Sequence, residues 1–239
     1  MKLLAPNIFE PFQEVIASMS LRDESGPGAL SMLPKAADEP TAKENRKKLC
    51  EELGFDLKQL VYPEQTHSDI VHTVSDEYSR HEGDALITNQ TGWLLGVTVA
   101  DCVPVLLYDP FSNSYGVVHS GWRGSAQNIT GTTIAKFIRE FSADPTNLIA
   151  WIGPAADAQS YEVGSEVASQ FNQKYSRPNN QESWLFDNKA VVYDQLVNAG
   201  LQESNIEVSG LDTITNTELH SVRRDGDNAG RMLCVIGVM

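Results

Sequence analysis

Val97-Thr98-Val99-Ala100-Asp101-Cys102-Val103-Pro104-Val105-Leu106-Leu107-Tyr108-Asp109-Pro110-Phe111-Ser112-Asn113-Ser114-Tyr115-Gly116-Val117-Val118-His119-Ser120-Gly121-Trp122-Arg123 is the stretch around which the chain is organised. Two apolar, β-branched runs, 97–108 and 115–119, flank a segment of turn residues, 109–114. Proline presets φ there, while Asp, Ser and Asn bond their own backbone. The pattern predicts a hairpin of two buried strands. Cys102 follows an acid, Asp101, and His119 precedes Ser-Gly-Trp-Arg. A thiol and an imidazole at strand ends, beside a glycine turn, mark a candidate site.

The 239 residues hold 41% hydrophobic and 21% charged side chains, the make-up of an ordinary globular protein with room for a sizeable core. The formal charge of −14 predicts a surface that repels nucleic acid and anionic membranes. A local basic pocket for a small anion is still allowed, because Arg223, Arg224 and Arg231 lie close in sequence. Three cysteines, Cys50, Cys102 and Cys234, cannot all pair within the chain. The N-terminal residues turn polar too soon for a secretory signal, and no apolar run approaches a membrane span. A cytoplasmic protein with reduced thiols is expected. The sequence sets no oligomeric state.

Working outward, Ile8, Phe12, Val15 and Ile16 suit strand or helix, and 23–28 reads as a loop. Thr41 and Glu44 form a capping box for a helix carrying Leu49 and Leu53, stopped at Gly54. Cys50 reads as a small core residue. Strands at 60–62 and 70–71 flank a polar loop holding Gln65 and His67, and 83–88 reads as a strand entered through Asp84. His72 and His81 carry no expected role. After Gly121 comes a helix with Ile134, Phe137, Ile138 and Phe141 on its inner face, its N-terminus favouring an anion. A strand at 148–152 follows. Val163, Val167, Phe171 and Tyr175 recur every fourth residue, predicting an amphipathic helix. Residues 176–183 read as a loop, 190–199 as a helix closed by Gly200, and 206–210 and 232–238 as strands. No repeat or linker divides the chain. The expected fold is α/β (α+β), a single domain over 1–239 with mixed β-sheets layered between helices.

His67, Cys102 and His119 could converge from three strand ends. Two imidazoles and a thiolate would make a three-ligand zinc site with the fourth position open, as catalytic zinc requires. Asp84 and Asp101 are then partners of the ligands or general bases. Without a metal, Cys102 beside His119 is the arrangement of a nucleophile with its base. A buried thiol with two ordinary histidines is the third reading, and spacing does not choose among them.

At these motifs the sequence resembles the family called multicopper polyphenol oxidase (laccase-like), purine nucleoside phosphorylase and peptidoglycan editing factor. The matching stretches are Pro63-Glu64-Gln65-Thr66-His67-Ser68, Gly83-Asp84-Ala85-Leu86-Ile87-Thr88 and Val99-Ala100-Asp101-Cys102-Val103-Pro104-Val105. Val118-His119-Ser120-Gly121-Trp122-Arg123-Gly124, Ile152-Gly153-Pro154 and Tyr161-Glu162-Val163-Gly164 continue the series. Ser221-Val222-Arg223-Arg224-Asp225-Gly226 and Gly230-Arg231-Met232 complete it, in the family's order.

The resemblance implies zinc on His67, Cys102 and His119, and phosphorolysis of adenosine, inosine, guanosine or methylthioadenosine to base and ribose 1-phosphate. Adenosine deamination is a second implied activity. Copper-dependent phenol oxidation ranks low, since two histidines and one thiolate supply a single soft site rather than a laccase's clustered coppers. Cysteine hydrolase or amidase chemistry on peptidoglycan precursors, through Cys102 and His119, is the alternative. Catalytic roles are expected for Cys102, His119, Asp101 and Asp84, and substrate or phosphate binding for Arg46, Arg123, Arg223, Arg224 and Gln65. The chain departs from the family pattern at 26–33, which lacks an asparagine. It departs again at Asp212-Thr213-Ile214-Thr215-Asn216, which lacks two thiols, and at His220, where an aromatic is usual.

Overall fold

The predicted long strand over 97–108 is cut in two. Residues 94–99 and 103–109 are separate strands in separate sheets, and 100–102 carries the chain between them. The computed structural model describes residues 1–22, 29–33, 39–76 and 78–239, so the expected loop at 23–28 lies outside the described residues. In chain order come β1 (Leu3–Leu4), β2 (Val15–Ser20), α1 (Glu39–Glu52), β3 (Leu60–Val61), β4 (Val71–Thr73), β5 (Ala85–Thr88) and β6 (Leu94–Val99). Next are β7 (Val103–Asp109), β8 (Ser114–Ser120), α2 (Trp122–Ala126), α3 (Ile129–Phe141) and β9 (Ile149–Ile152). Then follow β10 (Glu162–Val163), α4 (Ser165–Ala168), β11 (Ser176–Pro178), β12 (Trp184–Phe186) and α5 (Asn188–Asn198). The chain ends with β13 (Ile206–Val208), α6 (Val222–Asp225) and β14 (Met232–Val238).

Among the described residues these strands form three sheets. A five-stranded mixed sheet has the order β1-β2-β14-β6-β3, and a six-stranded mixed sheet runs β13-β9-β7-β8-β5-β4. A small antiparallel sheet, β10-β12-β11, lies apart in the chain order. The hairpin is present as β7–β8, paired from Val103↔Ser120 to Asp109↔Ser114.

Strand periodicity explains the layering. On β14, Met232, Cys234, Ile236 and Val238 join Leu106, Tyr108, Tyr115, Val117 and Trp151 in a core between the two large sheets. The alternate residues Leu233 and Val235 pack with Leu49 and Cys50 of α1. On the far face of the six-stranded sheet, Val103, Val105, Leu107 and Val118 meet Ile134 and Phe137 of α3 and Val192 and Leu196 of α5. The order is thus helix, sheet, sheet, helix. Each fully buried Leu or Val contributes roughly 1.5–3 kcal/mol. Strands covered on both faces read in sequence as unbroken apolar runs, which is why they are visible there but their sheets are not.

Several elements differ from expectation. Helix α1 begins at Glu39, so Thr41 lies inside the first turn rather than capping it. The four-residue spacing from Val163 to Tyr175 yields only the short α4. Those side chains still gather with Phe186 and Trp184 in a satellite cluster, held by the small sheet rather than by one helix. The loop expected at 176–183 contains β11, paired with β12. Ile138 is exposed, so the inner face of α3 is Ile134, Phe137 and the partly buried Phe141.

Candidate metal centre and its anion wall

Three chain segments deliver the predicted ligands to one point. Cys102 sits where the chain leaves the β6 sheet for β7. The crossing needs Asp101 at φ +90°, a backbone conformation rarely used outside glycine. Two remote segments hold it there: the Asp101 carboxylate accepts from Thr213 Oγ1 at 2.7 Å and from the Arg223 backbone N–H at 2.8 Å. Its carbonyl accepts from Ala156 N. His119 stands near the end of β8, opposite Pro104. His67 lies in the loop between β3 and β4, also at positive φ.

Two side chains fix that loop. Gln65 acts as a stand-in strand neighbour for β6: its amide donates to the Thr98 carbonyl and accepts from Thr98 N and Oγ1, all within 2.8 Å. Asp84, fully buried, accepts from the backbone N–H groups of Thr66, His67 and Ser68 and from Ser68 Oγ. The same carboxylate takes His119 Nδ1 at 2.7 Å. That bond fixes the ring's orientation and leaves Nε2 for the cavity, the usual arrangement behind a metal-bound histidine.

His67, Cys102 and His119 offer one ligand atom each, all within 4.8 Å of one another, and Cys102 Sγ lies 3.9 Å from His67 Nε2. The two imidazoles meet nearly edge to face, centroids 4.9 Å apart. Tetrahedral zinc, with bonds of ~2.0–2.3 Å, places donors roughly 3.3–3.8 Å apart, so the set closes if its donors draw together by about 1 Å. Gly121 makes the approach possible. A Cβ there would lie 2.8 Å from His67 Cδ2 and 3.1 Å from Cys102 Sγ. Burial would raise the Cys102 thiol, but the His119 and His67 imidazoles outweigh it and favour the thiolate. For His119 burial acts downward, and the Cys102 thiolate and Asp84 together hold its proton. The thiolate is the ligand form a soft divalent metal selects, and metal binding would displace the extra proton that His119 holds in the metal-free protein.

The ligands open on a cavity of about 470 Å³, also lined by Leu33, Trp122, Arg123, Tyr161, Arg223 and Arg231. Three arginines in one cavity are notable on a chain of charge −14. Arg123 stacks on the Trp122 ring at 4.3 Å and Arg223 on the Tyr161 ring at 5.0 Å. Arg223 Nη1 also donates to the Glu162 carbonyl, and Arg231 Nη1 to those of Ala229 and Gly230. None of the three forms an ion pair among the described residues, unlike Arg22, Arg46, Arg139 and Arg224.

Several expected roles change. Arg46 is buried away from the cavity, donating to the Met32 carbonyl and paired with Glu39 at 2.6 Å. Arg224 donates to the carbonyls of Thr213, Ile214, Asn216 and Leu219 and to Asp225, so it clamps the 213–219 segment and has no N–H left for phosphate. Gln65 lines the cavity, but Thr98 holds its amide. The hydrogen bonds above occupy the Asp84 and Asp101 carboxylates, which suits the expected role as partners of the ligands rather than that of general bases. The helix after Gly121 is the short α2, too brief to carry an anion site of its own. Trp122 and Tyr161 line the cavity without an expected role, while Arg231, named in sequence only for a local basic pocket, joins them. For Trp122 and Tyr161 the available signal is proximity to the glycines at 121 and 164.

The lost thiols do not touch this cavity. Thr215 Oγ1 donates to Asp212 Oδ2 at 2.8 Å, joining the two altered positions, and Thr213 between them holds Asp101.

This fold and site define an α/β sandwich with a two-histidine, one-cysteine centre facing an arginine wall. A family model described as multi-copper polyphenol oxidoreductase laccase matches residues 29–239, and the chain belongs to that family. Among relatives named purine nucleoside phosphorylase, one from Clostridium acetobutylicum is 37% identical over 76% of this chain and 78% of its own. A protein named adenosine deaminase, from an unknown prokaryotic organism, is 32% identical over 77% of this chain and 76% of its own. The crystal structure of a Bacillus licheniformis hypothetical protein, YfiH, superposes with a TM-score of 0.90 at 30% identity, covering 96% of this chain and 95% of that one.

Proposed function

We propose that the chain, as one catalytic domain over 1–239, is a zinc-dependent cytoplasmic purine nucleoside phosphorylase. One observation carries the reading. A two-histidine, one-thiolate centre faces three guanidinium groups, free of ion pairs among the described residues, across a cavity of about 470 Å³. Relatives named for purine nucleoside phosphorolysis support it. Phosphorolysis joins an anion to a polar, uncharged nucleoside. It needs a place for each reactant and a fixed approach between them.

The arginines supply the first place. Arg123, Arg223 and Arg231 would hold phosphate by charge-assisted N–H bonds, with stacking on Trp122 and Tyr161 keeping two of them extended. His67, Cys102 and His119 would hold zinc, which when bound would serve as a Lewis acid toward the group it touches. Asp84 would keep His119 facing the cavity, and Asp101 would keep Cys102 at the crossing. A phosphate oxygen bonds to C1′ of the ribose as the C1′–N9 bond breaks, and the electron pair leaves with the purine. The proton of the phosphate ends on the base. Zinc is preferred to copper because this is one centre, and no second such donor group occurs among the described residues. Adenosine deamination at the same centre is a secondary activity of this proposal, supported by the relative named for it.

A second reading rests on one observation: Cys102, His119 and Asp84 also line up as nucleophile, base and orienting acid. It leaves unexplained why His67, a second imidazole, stands 3.9 Å from the same sulfur. Adenosine with and without inorganic phosphate separates the two. Phosphorolysis releases adenine only when phosphate is present, whereas a cysteine hydrolase releases none in either case.

A further inference from the structure

With the Asp84 and Asp101 carboxylates both occupied, the described residues lining the cavity offer no free carboxyl to assist the departing purine. Among the residues lining it, only Thr98 and Tyr161 carry hydroxyls, and Thr98 Oγ1 already donates to Gln65. No side-chain hydrogen bond occupies the Tyr161 hydroxyl among the described residues, and the Arg223 guanidinium lies over its ring. We propose that the Tyr161 phenol is a catalytic hydrogen-bond donor that faces the leaving purine, resting on the phosphorolysis reading above.

Three features fit the role. Packing fixes the ring: Tyr161 lies 6.0 Å from the Phe186 ring, and its backbone N–H is bonded to Asp157. Arg223 covers the ring at 5.0 Å. The hydroxyl also shares the cavity with the ligand cluster and the anion wall, where the base must pass if phosphate sits on the arginines. As the C1′–N9 bond breaks, negative charge builds on the ring nitrogens, and a preset donor is worth most there. The phenol gives up no proton. It stabilises the purine anion until the proton released by phosphate arrives, so the reaction balances without another reactant. The alternative donor, the Trp122 indole, has its ring covered by Arg123.

The leaving base provides the test. Guanosine departs as an anion unless assisted, whereas 7-methylguanosine already carries a positive purine and needs no donor. Tyr161→Phe keeps the ring and its stack but removes the hydroxyl. The native protein with inorganic phosphate should turn over both nucleosides. Tyr161→Phe should lose roughly 10- to 100-fold in kcat on guanosine, with KM for phosphate little changed and 7-methylguanosine turned over at nearly the native rate. Equal losses on both nucleosides would make Tyr161 merely structural and overturn the proposal, as would no loss on either. Selective loss in Trp122→Phe instead would transfer the role to the indole and also overturn it. A native protein that phosphorolyses neither nucleoside refutes the underlying function, a result distinct from any of these.

Discussion

Asp84 Oδ1 accepts from His119 Nδ1 at 2.7 Å while the same carboxylate gathers the backbone of 66–68, so one buried acid places two of the three candidate ligands. Asp84→Asn keeps the shape but loses the charge and part of the acceptor capacity. Zinc affinity, measured by competition with a chromogenic chelator, should fall about 10- to 100-fold. An unchanged affinity would detach Asp84 from the metal centre. In the metal-free protein, burial acts to raise this carboxyl, but bonds from His119 and Ser68 lower it overall. The folded state therefore gains stability from Asp84 above the unfolded carboxylate range. That gain disappears as pH falls through the lower folded value.

Gly121 tests the same centre by shape alone. Its φ of −71° suits any residue, so Gly121→Ala costs nothing in backbone strain. The added Cβ nonetheless meets the His67 ring and the Cys102 sulfur. Bound metal should drop well below one per chain while far-ultraviolet circular dichroism stays native. Full metal content in the variant would show that the ligands need not approach this closely.

Arg223 and Arg224 are neighbours with opposite expected phenotypes. Arg223→Ala should raise KM for phosphate roughly 10- to 100-fold and leave Tm near native. Arg224→Ala strips donors from several carbonyls of the 213–219 segment and should lower Tm by several degrees. Thermal melts and phosphate titrations on both variants would show whether the roles are reversed.

His220 is fully buried, and its imidazole is pushed down to about 4, by burial first and by the Arg22 guanidinium next. Arg231 acts in the same direction, while Asp225 opposes it. The unfolded imidazole takes a proton near 6.5, so the folded protein holds its full stability above that pH. It loses stability as pH falls from about 6.5 to about 4, by a total on the order of 3 kcal/mol. Replacing it with the aromatic residue usual in the family, His220→Phe, should flatten urea-denaturation stability across that window. An unchanged pH slope would assign the effect to other groups.

Much of the architecture was written in the apolar pattern, because strands buried on both faces and the helices of the outer layers leave strong periodicities. The crossing at 100–102 was not. Ala-Asp-Cys lacks a Gly or Pro signal, and the positive φ of Asp101 is held by Thr213 and Arg223, more than a hundred residues away. The small sheet around β12 was hidden because its strands are two or three residues long. At the site, residue types announced His67, Cys102 and His119, and the resemblance united them. Which arginines face the cavity was beyond reach. Arg46 and Arg224 look like Arg123 and Arg231 in sequence and differ only in the tertiary partners that occupy their N–H groups.

The central claim is that one zinc-bearing centre and one arginine wall together split a purine nucleoside with phosphate. The most direct measurement is adenine release from adenosine by protein purified without metal-affinity chromatography, with zinc content determined on the same sample. The account predicts about one zinc per chain and adenine formation that requires inorganic phosphate. Both should disappear together in Cys102→Ala. Phosphate-independent product, or full activity in protein free of metal, would contradict it.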